Sequence, residues 1–212
     1  MKEFARASVT SIGCTPAGRQ EATSACLCDC LPDSLEGLIL FWSTAPSGAF
    51  RRDPECIYNP ERADYAEIQQ TRARAYAARA TPQEIRRWVE LLYHRPEAIE
   101  AEVAEATRRQ SDPNAATSLM ADRLAAMQAE LEGTHGYERY DVTDRLARIN
   151  LPTLVMHGRY DVSNPLSWGK LIHEGIPGSE FVVFENSGHI IQNEEPEKFR
   201  ETVRSFIRRL GT

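Results

Sequence analysis

Two short polar segments in the last third of the 212-residue chain contain the residue types of an acid–base pair. Residues 157–161 (HGRYD) end an apolar run and close on Asp161, and residues 186–189 (NSGH) end another and close on His189. A carboxylate can fix the tautomer of an imidazole and stabilise its cation, so that the imidazole can act as a general base. The two segments therefore predict two of the three members of a hydrolytic triad.

Each of these residues also fits a purely structural role. Asp161 could form an Asx turn that caps a helix beginning near Pro165, and His189 could cap or pack on the last helix. Their joint occurrence, in this order and with residues 187–188 (SG) freeing the backbone before the histidine, favours a catalytic pair.

The elements that must position this pair follow from the hydrophobic patterns. The unbroken apolar run at 37–42 predicts a buried parallel strand. Strands and helices alternate in the last part of the chain, which predicts a parallel sheet flanked by helices, an α/β fold. The predicted elements there are strand 153–157, helix 165–174, strand 180–185 and helix 196–210. In such sheets functional groups collect at the carboxyl ends of the strands, where Asp161 and His189 are expected.

The middle of the chain is different in character. Residues 53–133 lack a strand pattern, are rich in Ala, Glu and Arg, and contain a capping box with proline at the first helical position, at residues 81–84 (TPQE). The predicted helices are 62–79, 82–94, 96–109 and 113–132. We expect this block to be an insertion between the two halves, 1–52 and 134–212, of one α/β domain.

Three segments carry a resemblance to a known family. Residues 149–161 (INLPTLVMHGRYD) resemble the penultimate core strand of the α/β-hydrolase family with its acid. Residues 184–189 (FENSGH) and 195–199 (EPEKF) are similar to its histidine loop and last helix, and residues 31–40 (LPDSLEGLIL) resemble the segment after its nucleophile helix. The resemblance implies a helical cap over 53–133, hydrolysis of a small organic substrate at an ester, amide or related bond, and no metal or organic cofactor.

The family places its nucleophile on a sharp Gly-x-Ser-x-Gly turn upstream of the acid. The segment in register with it is residues 13–18 (GCTPAG), which puts Thr15 at the nucleophile position. Thr15 is β-branched, and Pro16 has no N–H with which to bind the oxyanion. Cys14 is the alternative nucleophile, with Thr15 as a possible N–H donor, and a plain turn is the structural alternative to both.

The family also has several strands before this turn, whereas only a dozen residues precede Gly13 here. The resemblance thus implies a truncated or divergent member with an incomplete core. If residues 7–13 form a strand, its unpaired edge predicts a homodimer contact. A second hypothesis follows from Pro16 and the missing strands: a catalytically silent relic that acts as a binding or oligomerisation module.

Net charge and the distribution of apolar residues and cysteines limit the classes of partner and the cellular location that we expect. The net charge of −6 argues against nucleic acid or an anionic membrane as the main partner. The family resemblance implies a small-molecule substrate as the partner. No apolar stretch is long enough to span a bilayer, and residues 1–9 lack the apolar core of a secretory signal, so we expect a cytoplasmic protein. Four of the five cysteines lie between Cys14 and Cys30 without a second ligand pair, which favours buried thiols over a metal site.

Overall fold

The computed structural model of the chain describes residues 36–41, 47–77, 79–111 and 141–210. Three predicted features lie outside these residues: the strand 7–13 with its dimer edge, the cysteine cluster at 14–30 and the helix 113–132. Thr15 lies outside them as well.

The described part of the sheet has three parallel strands in the order β1-β2-β3. They are β1 (Leu38–Phe41), β2 (Thr153–Gly158) and β3 (Glu180–Phe184). β2 lies between the other two, with Leu40 opposite Val155 on one side and Gly158 opposite Phe184 on the other. The expected parallel sheet flanked by helices is confirmed.

The central strand is buried along its whole length because both of its faces are covered. Val155 packs on one face with a cluster that includes Ile172 of helix α4 (Leu166–Gly175). Leu154 and Met156 point to the other face, where Phe206 of helix α6 (Pro196–Leu210) closes the core. Alternation of side chains along a strand is what allows one run of apolar residues to build two layers of core.

The described residues between 53 and 111 form three helices, which we call the helical block: α1 (Tyr65–Ala75), α2 (Pro82–Leu92) and α3 (Pro96–Ser111). The predicted capping box is present, since the Thr81 hydroxyl accepts the Glu84 N–H and the Glu84 carboxylate accepts the Thr81 N–H. α2 is the central helix: Trp88 packs with Ile68 of α1, and Val89 packs with Val103 of α3.

Two short 3₁₀ helices, Gly48–Arg52 and Thr143–Arg148, and the short helix α5 (Ile191–Glu194) complete the described elements. Among the residues that the structure describes, no helix has the length and apolar character needed to cross a membrane.

Candidate active site

The candidate site lies where β2 and β3 end side by side. Because the two strands are parallel neighbours, the segments that leave their carboxyl ends emerge at the same edge of the sheet. We call residues 159–164, which follow β2, the acid turn, and residues 185–190, which follow β3, the histidine loop. The two segments are joined by the backbone, since the Tyr160 N–H donates to the Ser187 carbonyl at 3.0 Å.

The structure brings Asp161 and His189 into contact. The Nδ1 atom of His189 lies 2.9 Å from Oδ2 of Asp161. An ionised carboxylate can only accept, so Nδ1 carries the proton and donates it, which leaves Nε2 as the basic nitrogen. Asp161 is only 5% exposed and the His189 side chain 20% exposed, so the pair is largely shielded from water. This geometry is the one in which a carboxylate orients a general base.

The other oxygen of Asp161 binds its own turn. Oδ1 accepts the backbone N–H of Ser163 at 2.8 Å and that of Asn164 at 2.9 Å, just before α4 begins. The Asx turn expected as the structural role of Asp161 is therefore present together with the contact to His189, but it does not cap α4, whose N-cap is Pro165 without a side-chain hydrogen bond. One carboxylate serves both because it has two acceptor oxygens.

The contact between Asp161 and His189 shifts the pKa of each residue in the direction that favours its charged form. Burial raises the pKa of the Asp161 carboxyl, but the charge of His189 and its hydrogen bond outweigh burial, so this pKa lies below its usual value. Burial lowers the pKa of His189, but the charge of Asp161 and the same hydrogen bond bring it above the usual value. A buried carboxylate of this kind stabilises the imidazolium that forms when a general base takes up a proton.

A buried histidine, His157 of β2, contacts the acid turn from inside the sheet's edge. Its Nε2 lies 2.6 Å from the Asn164 carbonyl oxygen, to which it donates, and 3.7 Å from Oδ2 of Asp161. The ring packs against α4 at Gly169, where an added Cβ would come within 2.6 Å of Nδ1. No sequence pattern assigns a role to His157. Its position on β2, four residues before Asp161, is the sequence feature that places it near the acid turn.

Two glycines allow the loops to approach each other. A Cβ on Gly158 would lie 1.9 Å from the Gly188 carbonyl oxygen, and a Cβ on Gly188 would lie 2.4 Å from the Leu92 carbonyl oxygen of α2. Gly178 is the glycine with positive φ among the described residues, so Gly188 does not provide the conformational freedom that the sequence suggested. It is required for space, because no side chain fits between the histidine loop and α2.

Sequence reasoning missed Glu194, the last residue of α5, which is 1% exposed. Its Oε1 accepts the backbone N–H groups of His94 at 2.5 Å and Arg95 at 2.7 Å, and its Oε2 accepts the N–H of Gly188 at 2.6 Å. Burial raises the pKa of Glu194 above its usual value and outweighs these three donors, which act in the opposite direction. Glu194 stands beside another acidic residue, Glu195, just before the predicted helix 196–210, and nothing in that pattern indicates burial.

The nucleophile position is not among the described residues. Thr15, Cys14 and Pro16 all lie outside them, so the third member of the triad stays a prediction.

Comparisons with known proteins concern the family and the fold of the chain. A family model described as "TAP-like protein", of the α/β-hydrolase type, matches residues 113–211. A proline iminopeptidase of Saccharolobus solfataricus is 43% identical over 68 residues, which are 32% of this chain and 22% of that protein. A 2-hydroxy-6-oxononadienedioate/2-hydroxy-6-oxononatrienedioate hydrolase of Pseudomonas putida is 42% identical over 67 residues, 32% of this chain and 23% of that protein. The matched part of the chain thus spans less than a quarter of either relative.

The fold is shared over a longer stretch. The structure of an alpha/beta fold family hydrolase from Bacillus anthracis superposes with a TM-score of 0.66 and 20% identity, covering 90% of this chain and 63% of that one. The sheet and its flanking helices have the α/β-hydrolase fold, and these similarities support membership of the α/β-hydrolase family.

Proposed function

We propose that the chain is a hydrolase that acts on a small organic substrate by a nucleophile–histidine–acid mechanism. The observation that carries the proposal is the 2.9 Å hydrogen bond between His189 Nδ1 and Asp161 Oδ2 at the carboxyl ends of two adjacent strands. The relatives reported above are named as hydrolases and a peptidase, which supports the reaction class. Fold alone does not select the bond that is cleaved.

In this mechanism His189 is the general base. Its Nε2 takes the proton of the nucleophile as the nucleophile attacks the substrate carbonyl, and the imidazolium then donates that proton to the leaving group. Asp161 remains ionised throughout and stabilises the imidazolium. A water molecule repeats the sequence to release the acyl group, so that the enzyme is regenerated.

Thr15 is the nucleophile that the sequence supports, with Cys14 as its alternative. Pro16 follows Thr15 and has no N–H to offer to the oxyanion. Loss of one oxyanion donor typically costs on the order of a hundred- to a thousandfold in kcat. We therefore expect slow turnover if Thr15 is the nucleophile.

Pro16 also favours a second candidate function. A chain that keeps the acid–histidine pair without a competent oxyanion site would bind small molecules, or associate with copies of itself, without hydrolysis.

The test is turnover of chromogenic substrates by the purified full chain beside His189→Ala, Thr15→Ala and Cys14→Ala. A p-nitrophenyl ester and a prolyl anilide cover the ester and amide classes. We expect wild-type turnover that His189→Ala abolishes, and the nucleophile is whichever of Thr15 and Cys14 is required. Equal inertness of wild type and all variants would refute the hydrolase proposal and leave the binding module.

A further inference from the structure

The backbone on either side of the Gly188–His189 peptide bond is tied to the helical block and to α5. The His189 N–H donates to the Leu92 carbonyl at the end of α2, at 2.7 Å. The Gly188 N–H donates to Glu194 at 2.6 Å. The residue that projects the imidazole is thus held by two consecutive backbone hydrogen bonds, one to each neighbouring element.

Glu194 is the group that connects these elements. Its second oxygen binds the turn between α2 and α3 through the N–H groups of His94 and Arg95. The Arg95 guanidinium returns to the Glu194 backbone carbonyl at 2.5 Å, so the same two residues are joined twice. One buried carboxylate therefore sits between the histidine loop and the helical block and accepts from both.

This arrangement needs a carboxylate and not merely a polar side chain. Both oxygens of Glu194 accept backbone N–H groups. A glutamine offers one acceptor oxygen, and its NH₂ group would face a backbone N–H donor. A buried donor left without an acceptor costs free energy, so the loop would have to shift.

We propose that Glu194 is a positioning residue for His189: by binding Gly188 and the α2–α3 turn at once, its carboxylate fixes the backbone from which the imidazole reaches Asp161. This inference rests on the proposed function, because positioning matters catalytically only if His189 is the base. A displacement of about 1 Å at a reacting group can cost on the order of a hundredfold in rate.

The decisive measurement is the titration of His189 by NMR in the full chain with isotope-labelled histidine, which needs no enzymatic activity. Among the residues that the structure describes, Asp161 is the ionisable group that binds His189, and His157 lies 3.7 Å from the same Asp161 oxygen. In wild type the His189 pKa is expected above its usual value of about 6.5, since Asp161 favours the imidazolium. In Glu194→Gln it should fall toward 6.5, and the downfield signal of the hydrogen-bonded Nδ1 proton should weaken.

A double-mutant comparison separates positioning from a direct effect of the lost charge. If Glu194 acts through the Asp161 contact, Glu194→Gln changes the His189 pKa in wild type but not in an Asp161→Asn background. An equal change in both backgrounds would mean a through-space effect and overturn the proposal. No change in either would make Glu194 a purely structural residue and overturn it as well.

Glu195→Gln is the matched control. Glu195 is the next residue, and its carboxylate also binds the histidine loop, through the Asn186 N–H and the Ser187 hydroxyl, but not Gly188. We expect it to leave the His189 titration as in wild type; a shift equal to that of Glu194→Gln would contradict the assignment. If Glu194→Gln does not fold, Glu194→Asp, which keeps the charge on a shorter side chain, is expected to give the same fall in pKa.

Kinetics provide the second readout. Provided that wild type turns over substrate, Glu194→Gln should lower kcat on the order of ten- to a hundredfold with little change in KM. An inactive wild type would refute the proposed function and leave the NMR test of Glu194 intact, so the two failures are distinguishable.

Discussion

The acid and the histidine of the candidate site are held in different ways. Asp161 is held by its immediate neighbours, the N–H groups of residues two and three positions further along the chain. His189 is held from α2, and its loop is tied through Glu194 to a turn about 100 residues earlier in the sequence. The Asp161 carboxylate is therefore held by local hydrogen bonds, whereas the backbone of the histidine loop is also held by the helical block.

This difference gives the helical block a role in the geometry of the base. A displacement of α2 acts directly on the backbone of His189, whereas the Asp161 carboxylate keeps its own turn. The acid turn does contact the helical block, through Tyr160 stacked on the His94 ring at 3.7 Å and through Val162, which packs with Ile68 and Trp88. Neither of these side chains holds the Asp161 carboxylate. Substitutions can therefore be chosen that displace Asp161 or His189 separately.

The largest loss of kcat is expected from a substitution of Asp161, the member of the pair that is held by local hydrogen bonds. Asp161→Asn removes the charge that stabilises the imidazolium and replaces Oδ2 with a group that favours the wrong tautomer of His189. In a serine protease triad the equivalent change lowers kcat about 10⁴-fold, and we expect a loss of that order here. Steady-state kinetics test it, with circular dichroism to confirm that the variant folds. A loss of less than tenfold would show that Asp161 is not the orienting acid.

A smaller effect is expected where the histidine loop meets the helical block. Gly188→Ala places a methyl group 2.4 Å from the Leu92 carbonyl oxygen, and because that atom is backbone the loop or α2 must move. Overpacking of this kind typically lowers the free energy of unfolding by about 1–3 kcal/mol, and urea denaturation measures it.

Gly178→Ala is the control for this substitution. Nothing lies within 4 Å of a Cβ at Gly178, but its φ of 73° costs about 1 kcal/mol for an L-residue. We expect Gly188→Ala to lower kcat as well, through His189, and Gly178→Ala to leave kcat unchanged. Equal effects of the two on both quantities would contradict the packing of the histidine loop described above.

The smallest effect is expected at the surface link between the two segments. Arg159 of the acid turn forms a bidentate ion pair with Glu185 of the histidine loop, at 2.6 and 2.7 Å. Both side chains are exposed, and exposed ion pairs contribute about 0–1 kcal/mol. Arg159→Ala should change the free energy of unfolding by no more than that and leave kcat as in wild type. A large loss of activity would mean that this pair, and not Glu194, aligns the two segments.

The sequence predicts well those features that depend on neighbouring residues. Helix α6 was predicted at 196–210 and occupies Pro196–Leu210, because proline at its start and its amphipathic period are local signals. Strand β2 and the contact of Asp161 with His189 followed from apolar runs and from the rule that parallel strands present their carboxyl ends together.

Features that depend on distant partners were not predictable in this way. Glu194 and Glu195 are adjacent acidic residues, and only the fold makes the first a buried acceptor for a turn far away in sequence. Gly188 was correctly singled out, but for backbone freedom, since the approach of the Leu92 carbonyl cannot be inferred from its neighbours. The boundaries 53 and 133 of the helical insertion stay a prediction.

The crossing of β2 and the histidine loop at Gly158 and Gly188 has a consequence for engineering the protein. At each glycine the opposing carbonyl lies too close for an added methyl group to fit without a shift of the backbone. Side chains introduced at these two positions would destabilise the crossing and displace the histidine loop. Engineering of this scaffold should therefore keep both positions constant and diversify the half-exposed residues around them.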